Sequence, residues 1–216
     1  MAKRLTRFGI TVLVIGTILV LLEGGMDMWL ALYLGGWSIF ALYALLSIDD
    51  DLAKERFHPA EPGADRVPLR AIRIIALLHL VIGALDAGRW HLAPVQNGVR
   101  GVALVIMVVS ALLVVQAMRA NRFFSPVVRV QTERGHRVID RGPYGTIRHP
   151  GYLGMIISVT CSGLALGSWL GFALGLVYAG LIFRRVFFED AFLKANLAGY
   201  TDYARRVPYR LIPRAW

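Results

Sequence analysis

The segment GYLGMIISVTCSGLALGSWLGFALGLVYAGLIFRRVFF, residues 151–188, consists almost entirely of apolar and small side chains. A helix needs about 20 such residues to cross the roughly 30 Å hydrocarbon core of a bilayer. The segment is therefore long enough for two crossings, which we place at Gly151–Leu170 and Gly171–Phe188. Because almost nothing separates the two runs, we expect a close pair of membrane-spanning helices.

Four more apolar runs precede this pair. They are Phe8–Glu23, Met28–Ile48, Val67–Gly88 and Gly98–Met118. With 56% hydrophobic residues and a mean hydropathy of +0.57, the chain is too apolar for an ordinary soluble domain. We therefore predict an all-α, polytopic membrane helix bundle with about six transmembrane helices, or five, that forms a single membrane domain over residues 1–216.

Basic residues are distributed unevenly over the connections. They cluster before the first run, between the second and third, between the fourth and fifth, and after the sixth, whereas the other connections hold only Arg89 and Arg100. By the positive-inside rule, this alternation predicts that both termini are cytoplasmic. The net charge of +10 then faces anionic headgroups, which makes membrane lipids expected partners. The basic loops contain no RNA- or DNA-binding motif, so we expect no nucleic-acid partner.

The polar segment RGPYGTIRHPGYLG, residues 141–154, stands directly before the fifth run. Pro150 suits the first position of a helix, and the first helical turn leaves backbone N–H groups free to bind a carboxylate. The glycines permit a close approach of the backbone to a ligand. The alternative is that Arg148 snorkels to the surface and His149 lies at the membrane interface without binding a ligand.

A second polar group follows at the end of the sixth run, in FRRVFFED, residues 183–190. Arg185 and Glu189 are spaced i, i+4 and therefore share one helix face. One interpretation is an ion pair where the helix leaves the membrane. The other is a partly dehydrated site, in which Glu189 binds a cationic or hydrogen-bonding ligand and Arg185 binds an anion or holds the carboxylate.

Other polar residues carry weaker signals. His79 and Asp86 lie seven residues apart in the third run and therefore share roughly one helix face. They are candidates for a proton path or for a structural role inside the bundle, and we favour the structural role. The chain has no HExxH, CxxC or closely spaced carboxylate cluster, so we expect no metal. It also lacks a P-loop and a GxGxxG motif after a strand. In the long polar stretch before residue 150, VVRVQ and HRVI flank TERG, which predicts a small β-hairpin.

Several motifs of the C-terminal half resemble one family of integral-membrane enzymes. In order, they are GPYGTIRHPGYLG, LGSW, R-x-x-x-E and FL…GYTDYARRVPYRLIP. Their order and spacing resemble the methyltransferases related to isoprenylcysteine carboxyl methyltransferase, which include phospholipid methyltransferase-like enzymes. The resemblance implies four N-terminal spans in residues 1–118 and a catalytic half in residues 119–216. It also implies methyl transfer from S-adenosylmethionine at the cytoplasmic membrane face. Because DDLAKERFHP resembles the bacterial branch, we expect the bacterial inner membrane.

The resemblance further implies a set of site residues. By analogy, S-adenosylmethionine would be bound by Gln131, His136, Arg137, Val138, Ile139, Tyr144, His149, Pro150, Gly151, Tyr152 and Glu189. Arg185 would orient the methyl acceptor or its carboxylate. The chain departs from the family at one position, because the usual pair of glutamates reads Glu189-Asp190 here.

The chemistry of such a site makes modest demands on the protein. A methyl group on a sulfonium is already activated, so the protein mainly aligns donor and acceptor and excludes water; alignment supplies roughly 7–11 kcal/mol. A carboxylate acceptor needs no base, whereas a thiol or amine must lose a proton, for which His149 or Glu189 is a candidate. The acceptor is expected to be lipophilic or small, and all three acceptor groups stay open.

Two other functions are compatible with the same residues. Some sterol reductases share a similar C-terminal half and use NADPH, whose 2′-phosphate would be bound by the many arginines. A small non-enzymatic transporter would instead use His79 and Asp86. The sequence carries no signal of the oligomeric state.

Overall fold

The computed structural model describes residues 2–61 and 63–215, and this part of the chain is predominantly helical. The helices are α1 Ala2–Glu23, α2 Met28–Ser47, α3 Asp50–Phe57, α4 Arg66–Leu85, α5 Asn97–Ala120, α6 Pro150–Leu166, α7 Trp169–Asn196 and α8 Tyr200–Arg206. A π-helical turn, Asp86–Trp90, extends α4, and 3-10 turns occur at Thr132–Arg134 and Gly142–Gly145. The described residues form no strand beyond an isolated bridge between Pro94 and Ser168.

Within residues 2–61 and 63–215, five helices are long and apolar enough to cross a membrane. They are Arg4–Glu23, Met28–Ser47, Arg66–Trp90, Asn97–Ala120 and Trp169–Asn196. The sixth apolar helix, α6, has only 17 residues, because Gly167 adopts a left-handed conformation with φ of 107° and ends it. The predicted polytopic all-α bundle is therefore confirmed, with five long spans and one shorter apolar helix.

The α6–α7 pair is built on a tight connection between two close-packed helices. The Ser168 hydroxyl caps α7 by accepting a hydrogen bond from the Gly171 backbone N–H at 3.0 Å. A Cβ atom at Gly163 would lie 2.2 Å from the backbone nitrogen of Phe172, and one at Gly154 would lie 2.7 Å from the Ser110 carbonyl oxygen of α5. Small residues thus let α6 lie between α5 and α7, as is typical of membrane helices.

Helices α1 and α2 lie at the outside of the bundle. Large apolar side chains on them are exposed, such as Leu13 at 69% and Ile39 at 71%. Their inner sides pack into a core around Leu30 and Leu166, and the Tyr33 hydroxyl bonds to the Ser162 hydroxyl of α6 at 2.7 Å. Exposed apolar side chains on helices of this length indicate contact with lipid rather than water.

One end of the bundle, here called the opposite end, consists of the loops 24–27 and 91–96 and the α6–α7 connection. There Asp86 accepts hydrogen bonds from the backbone N–H groups of Leu92 at 2.9 Å and Ala93 at 3.2 Å, and it also bonds to Ser168. His79 bonds separately to the Val159 carbonyl oxygen at 3.1 Å. Both residues of the predicted His79–Asp86 pair therefore have structural partners, in agreement with the favoured interpretation.

The predicted β-hairpin over residues 127–139 is wrong. In place of a turn between two strands, Thr132–Arg134 forms a 3-10 turn that Gly135 ends with a φ of 63°. The flanking segments join each other only beside the turn, where the His136 N–H bonds to the Gln131 carbonyl oxygen at 3.1 Å, and further along the Val128 N–H bonds to Asp65 in the α3–α4 loop. The alternation of apolar residues in this segment reflects the burial of side chains on a loop and not the pairing of two strands in a β-ladder.

Candidate functional site

The other end of the bundle, the cavity end, encloses a cavity of about 230 Å³. Its wall is formed by α3, the first turns of α4 and α6, the loop 121–144, the second half of α7, and α8. Both described ends of the chain lie here, because Arg4 pairs with Asp50 of α3 at 2.7 Å and α8 lines the cavity. Segments distant in sequence thus form one enclosed space.

Ten of the twelve site residues expected from the sequence line this cavity. They are His136, Arg137, Val138, Ile139, Tyr144, His149, Gly151, Tyr152, Arg185 and Glu189. The other two lie behind the wall. Gln131 is buried and donates to the Phe123 carbonyl oxygen at 2.8 Å, which holds the loop, and Pro150 begins α6. The structure therefore gives both of these residues a supporting position rather than one on the cavity surface.

Glu189 lies on the cavity wall with Tyr152, whose hydroxyl donates a hydrogen bond to Glu189 Oε2. The His149 ring stacks on the Tyr152 ring with a centroid distance of 5.8 Å. His149 Nε2 is buried without a hydrogen-bond partner; it lies 3.5 Å from Asp190 Oδ1, outside hydrogen-bond geometry. An acid, a phenol and an imidazole with an unused nitrogen therefore meet at one place.

Asp190, the second acid of the pair, has a different role, because it is almost completely buried and holds the C-terminal segment. Arg148 donates to both of its carboxylate oxygens, at 2.7 and 3.1 Å. Arg210 and Lys194 each lie 3.1 Å from Oδ2, and the Tyr200 hydroxyl donates to Oδ1 at 3.1 Å. The shorter acid at this position is thus the centre of an ion-pair network, which we call the Asp190 hub.

Arg185 does not form the ion pair with Glu189 that its spacing allows. Its guanidinium lies 2.6 Å from Asp65 Oδ2, and it donates to the Pro126 carbonyl oxygen at 2.7 Å. The same guanidinium lies 5.5 Å from the centre of the Tyr152 ring. The interpretation as a helix-exit ion pair is therefore wrong in its partner, because a buried aspartate 120 positions away takes the place of Glu189.

Sequence reasoning missed Asp65 and the whole of α3 as parts of the site. Asp65 precedes α4, where an aspartate is usually a helix cap, but its side chain makes no cap hydrogen bond and faces Arg185 instead. Helix α3 is held against the loop by Glu55, which accepts from Arg129 at 2.7 Å and from the Ser125 hydroxyl at 2.6 Å. In the sequence, the only available signal was the presence of acidic residues inside a charged loop.

Gly151 has a different use from the one its position suggested. A Cβ atom there would lie 2.5 Å from the Phe124 ring, so the missing side chain admits this ring against the first turn of α6. The same ring contacts Arg56 of α3, whose guanidinium carbon lies over it, 5.1 Å from the ring centre. Gly151 therefore makes room for the Phe124 ring in the cavity wall, and it also lines the cavity itself.

Two titratable groups of the wall outside the spans, His136 and Tyr144, have pKa values shifted so that their neutral forms are favoured. Burial, and secondarily Arg129 and Arg134, lowers the pKa of His136 to about 4. The neutral ring accepts a hydrogen bond from the Gln131 backbone N–H at 3.2 Å and stacks on Phe123 with centroids 4.5 Å apart. Burial likewise raises the pKa of Tyr144. At neutral pH these side chains present uncharged surfaces to the cavity.

Fold and site together define a polytopic α-helical membrane protein with a polar and aromatic cavity at one end of its bundle. Among the residues that the structure describes, no three His, Cys, Asp or Glu side chains are grouped as a metal site would require. The wall offers one accessible carboxylate, aromatic faces and several guanidinium groups. Such a set suits an organic ligand that carries both a cationic and an anionic part.

Comparison with known proteins confirms the resemblance seen in the sequence. The model of the isoprenylcysteine carboxyl methyltransferase (ICMT) family matches residues 102–195. A probable protein-S-isoprenylcysteine O-methyltransferase of Oryza sativa subsp. indica is 30% identical over 109 residues, which are 49% of this chain and 57% of the rice protein. Protein-S-isoprenylcysteine O-methyltransferase B of Arabidopsis thaliana is 30% identical over 91 residues, 41% of this chain and 46% of the plant protein.

A reductase also matches. A delta(14)-sterol reductase of Mus musculus is 33% identical over 89 residues, 39% of this chain and 21% of the mouse protein. The chain thus spans about half the length of the plant methyltransferases and a smaller part of the reductase. The family match begins after α3 and α4, so Arg56 of the cavity wall and Asp65, which pairs with Arg185, lie outside it.

Proposed function

We propose that the protein is an S-adenosylmethionine-dependent methyltransferase of the membrane, which methylates a lipophilic or small acceptor. One observation carries the proposal: residues expected to bind the donor come from three separate segments and line a single cavity. The segments are 136–144, 149–152 and the end of α7. Most of this wall lies within the part of the chain that matches the ICMT family.

The residues of the wall fit such a donor in chemical terms. Glu189 supplies the accessible carboxylate, with a phenol as its partner, and can bind a positively charged or hydroxyl-bearing group. The rings of Phe123, Tyr144 and Tyr152 supply apolar and aromatic surface on the same wall. When bound, S-adenosylmethionine supplies an activated methyl group, so the protein needs no metal and no covalent intermediate.

The chain's own residues would then position the donor and the acceptor and would exclude water from the cavity. Asp65 holds the Arg185 guanidinium over the Tyr152 ring, and Tyr152 in turn holds Glu189, so Arg185 acts on the carboxylate through the phenol. His149, which stacks on Tyr152 beside Glu189, is the candidate proton acceptor if the methyl acceptor is a thiol or an amine. A carboxylate acceptor leaves His149 to pack against Tyr152.

We also propose that the cavity end faces the cytoplasm of the bacterial inner membrane, with both termini on that side. Support comes from the charge distribution, because basic residues cluster around α3, in the loop 121–144 and around α8, whereas the loops of the opposite end and the residues next to them hold only Arg89 and Arg100. Arg4 of α1 and the residues of α8 both lie at this end. A water-soluble donor would enter from this side, while an acceptor carried in the membrane would approach from between the helices.

Binding of S-adenosylhomocysteine to purified protein in detergent tests the proposal. Glu189→Gln keeps the size and the hydrogen bond to Tyr152 but removes the charge, so we expect at least about a tenfold increase in Kd with little change in melting temperature. Glu61→Gln, at an exposed acid of the α3–α4 loop, is the matched control and should bind as the wild type does. Equal Kd values for Glu189→Gln and the wild type would contradict the proposal.

The similarity to a sterol reductase favours one competing function, an NADPH-dependent membrane reductase. The arginines at 56, 73 and 137, all on the cavity wall, could bind a 2′-phosphate. The same binding assay separates the two functions. Saturable NADPH binding that S-adenosylhomocysteine fails to displace would support the reductase and reject the methyltransferase.

A further inference from the structure

Buried arginines of the cavity wall mostly have acidic partners. These pairs are Arg129 with Glu55 at 2.7 Å, Arg148 with Asp190 at 2.7 Å, and Arg185 with Asp65 at 2.6 Å. Each of these guanidinium groups therefore already has its charge compensated by the protein. Arg129 Nη1 and Arg185 Nε are left without hydrogen-bond partners. An anionic group of a ligand that approached these guanidinium groups would nevertheless compete with a carboxylate that already compensates their charge.

Arg56 of α3 differs from these three. Its side chain lines the cavity and is partly buried, yet it forms no hydrogen bond or ion pair with any residue in the ranges 2–61 and 63–215. Its one close contact is the face of the Phe124 ring, 5.1 Å from the guanidinium carbon. Burial, and further the nearby Arg185, lowers the pKa of Arg56. The protein thus keeps an uncompensated cation at a place where it is unfavourable.

The position of Arg56 is fixed by its neighbours rather than by a partner of its own. The adjacent Glu55 is buried in its bonds to Arg129 and Ser125, and Asp51, one turn earlier, accepts from Arg134 at 2.6 Å. These contacts attach α3 to the loop that forms the cavity wall. The Phe124 ring below the guanidinium is in turn held against Gly151. A cation that is held in place and has no partner is preorganised for a ligand.

We infer that Arg56 binds a carboxylate of the ligand in the cavity, and that this residue, rather than Arg185, supplies the anion-binding contact of the site. The inference rests on the proposed function and adds a residue outside the part that matches the family. Two carboxylates are candidates: that of the amino-acid part of the methyl donor, and that of an acidic acceptor. A guanidinium would bind either carboxylate in the same way, and the experiment distinguishes the two.

The first arm compares two nucleosides that differ in the carboxylate. S-adenosylhomocysteine carries it, and 5′-methylthioadenosine lacks the whole amino-acid part. If Arg56 binds the donor, Arg56→Gln raises the Kd of S-adenosylhomocysteine about 10- to 100-fold, the range of a charge-assisted hydrogen bond, and leaves that of methylthioadenosine unchanged. Arg70→Gln, at an exposed position of α4 away from the cavity wall, is the control and changes neither value.

The second arm applies to the acceptor. With S-farnesylcysteine as a probe, an acceptor contact predicts that Arg56→Gln raises the KM of the free acid in a methylation assay at least about tenfold. Binding of the carboxamide of the same molecule, which has no negative charge, would stay unchanged. An effect in either arm supports the inference and assigns the carboxylate.

A structural role for Arg56 makes a different prediction about stability. If the cation is uncompensated in the protein, Arg56→Gln keeps or raises the melting temperature while it weakens binding. Overturning results are a lower melting temperature with unchanged binding, or wild-type values in both arms. If the wild type itself binds no S-adenosylhomocysteine, the proposed function fails and the inference falls with it, whereas wild-type binding that Arg56→Gln leaves intact rejects the inference alone.

Discussion

The two ends of the helix bundle use buried charges in different ways. At the cavity end, buried charges pair with opposite charges; the pairs are Glu55–Arg129, Asp65–Arg185 and Asp190–Arg148. At the opposite end, charged side chains bind backbone groups: the buried Asp86 accepts from two N–H groups, the exposed Arg89 donates to the Leu22 carbonyl oxygen at 2.8 Å, and the half-buried Arg100 donates to that of Leu166 at 2.7 Å. Backbone partners complete helix ends, whereas side-chain pairs join distant segments around a cavity.

Because of this difference, we expect the replacement of a buried aspartate by asparagine to lower the free energy of unfolding more at the cavity end than at the opposite end. An ion pair that loses one charge leaves the other buried and uncompensated, which costs about 3–5 kcal/mol. A carboxylate that binds neutral N–H and O–H groups leaves no such charge behind when it is replaced by an amide, and the loss is that of ordinary hydrogen bonds, about 0.5–1.5 kcal/mol each. Asp190 and Asp86, both nearly fully buried, are a matched pair for this test.

Asp190→Asn is expected to have the largest effect. The amide cannot compensate Arg148, Arg210 and Lys194, so the C-terminal segment loses its attachment and the cavity loses α8 as a wall. A cost of about 3–5 kcal/mol corresponds to a fall in apparent melting temperature of at least about 6 °C for a chain of this size. Thermal unfolding in detergent measures it, and S-adenosylhomocysteine binding should fall as well.

The control for this substitution is Asp202→Asn, because the Asp202–Arg205 pair on α8 is exposed on both sides. Exposed pairs contribute about 0–1 kcal/mol, so this variant should melt with the wild type. If Asp190→Asn also melts within about 2 °C of the wild type, the hub does not depend on charge and the contrast between the two ends is wrong.

Acidification is expected to have an intermediate effect on the stability of the protein, through protonation of His136. Its folded pKa of about 4 lies below the usual value of 6.5, so the folded state binds fewer protons than the unfolded state between these pH values. The contribution of neutral His136 is therefore complete above pH 6.5 and is lost as pH falls towards 4, by about 3 kcal/mol. Protonation of Nδ1 would remove the acceptor for the Gln131 N–H.

Melting temperatures measured from pH 7.5 to pH 4 check this expectation. His136→Gln should lose less stability over this window than the wild type does, because it removes the group that must be protonated. His58→Gln, at an exposed histidine of the α3–α4 loop, should follow the wild-type curve. Parallel curves for His136→Gln and the wild type would show that the imidazole is not held neutral by its surroundings.

The helices could be predicted from the sequence because hydropathy over 20 residues is a local property. The predicted span Met28–Ile48 and the helix Met28–Ser47 differ by one residue, and Gly98–Met118 lies within Asn97–Ala120. The fifth span was placed four residues too far, to Leu170, because a single glycine at 167 ends the helix inside an apolar run. At this point the left-handed conformation of Gly167, and not the apolar composition of the run, decides where the helix ends.

The site could be predicted only where its residues are close in sequence. His149 and Tyr152 lie within one motif, and Glu189 follows from its exit position on α7. Asp65 and Arg56 were missed, because their neighbours Arg185 and Phe124 lie 120 and 68 positions away. Nothing local distinguishes Asp65 from a helix cap, or Arg56 from the other basic residues of a charged loop. Pairing across such distances is decided by the packing of the helices.

Asp86→Asn is expected to have the smallest effect, about 1 kcal/mol in the free energy of unfolding. The amide oxygen can still accept from the Leu92 and Ala93 N–H groups, and the amide nitrogen can donate to the Ser168 hydroxyl. Because Asp86 lies at the opposite end from the cavity, the Kd of S-adenosylhomocysteine should stay within about twofold of the wild type.

Asp86→Leu, which removes every acceptor, should be clearly more damaging than Asp86→Asn. For Asp190, replacement by either residue should be severe, because both changes leave the arginines uncompensated. A fall in stability for Asp86→Asn equal to that for Asp190→Asn, or a weakened binding of the nucleoside, would show that the two ends are energetically alike or coupled through the helices.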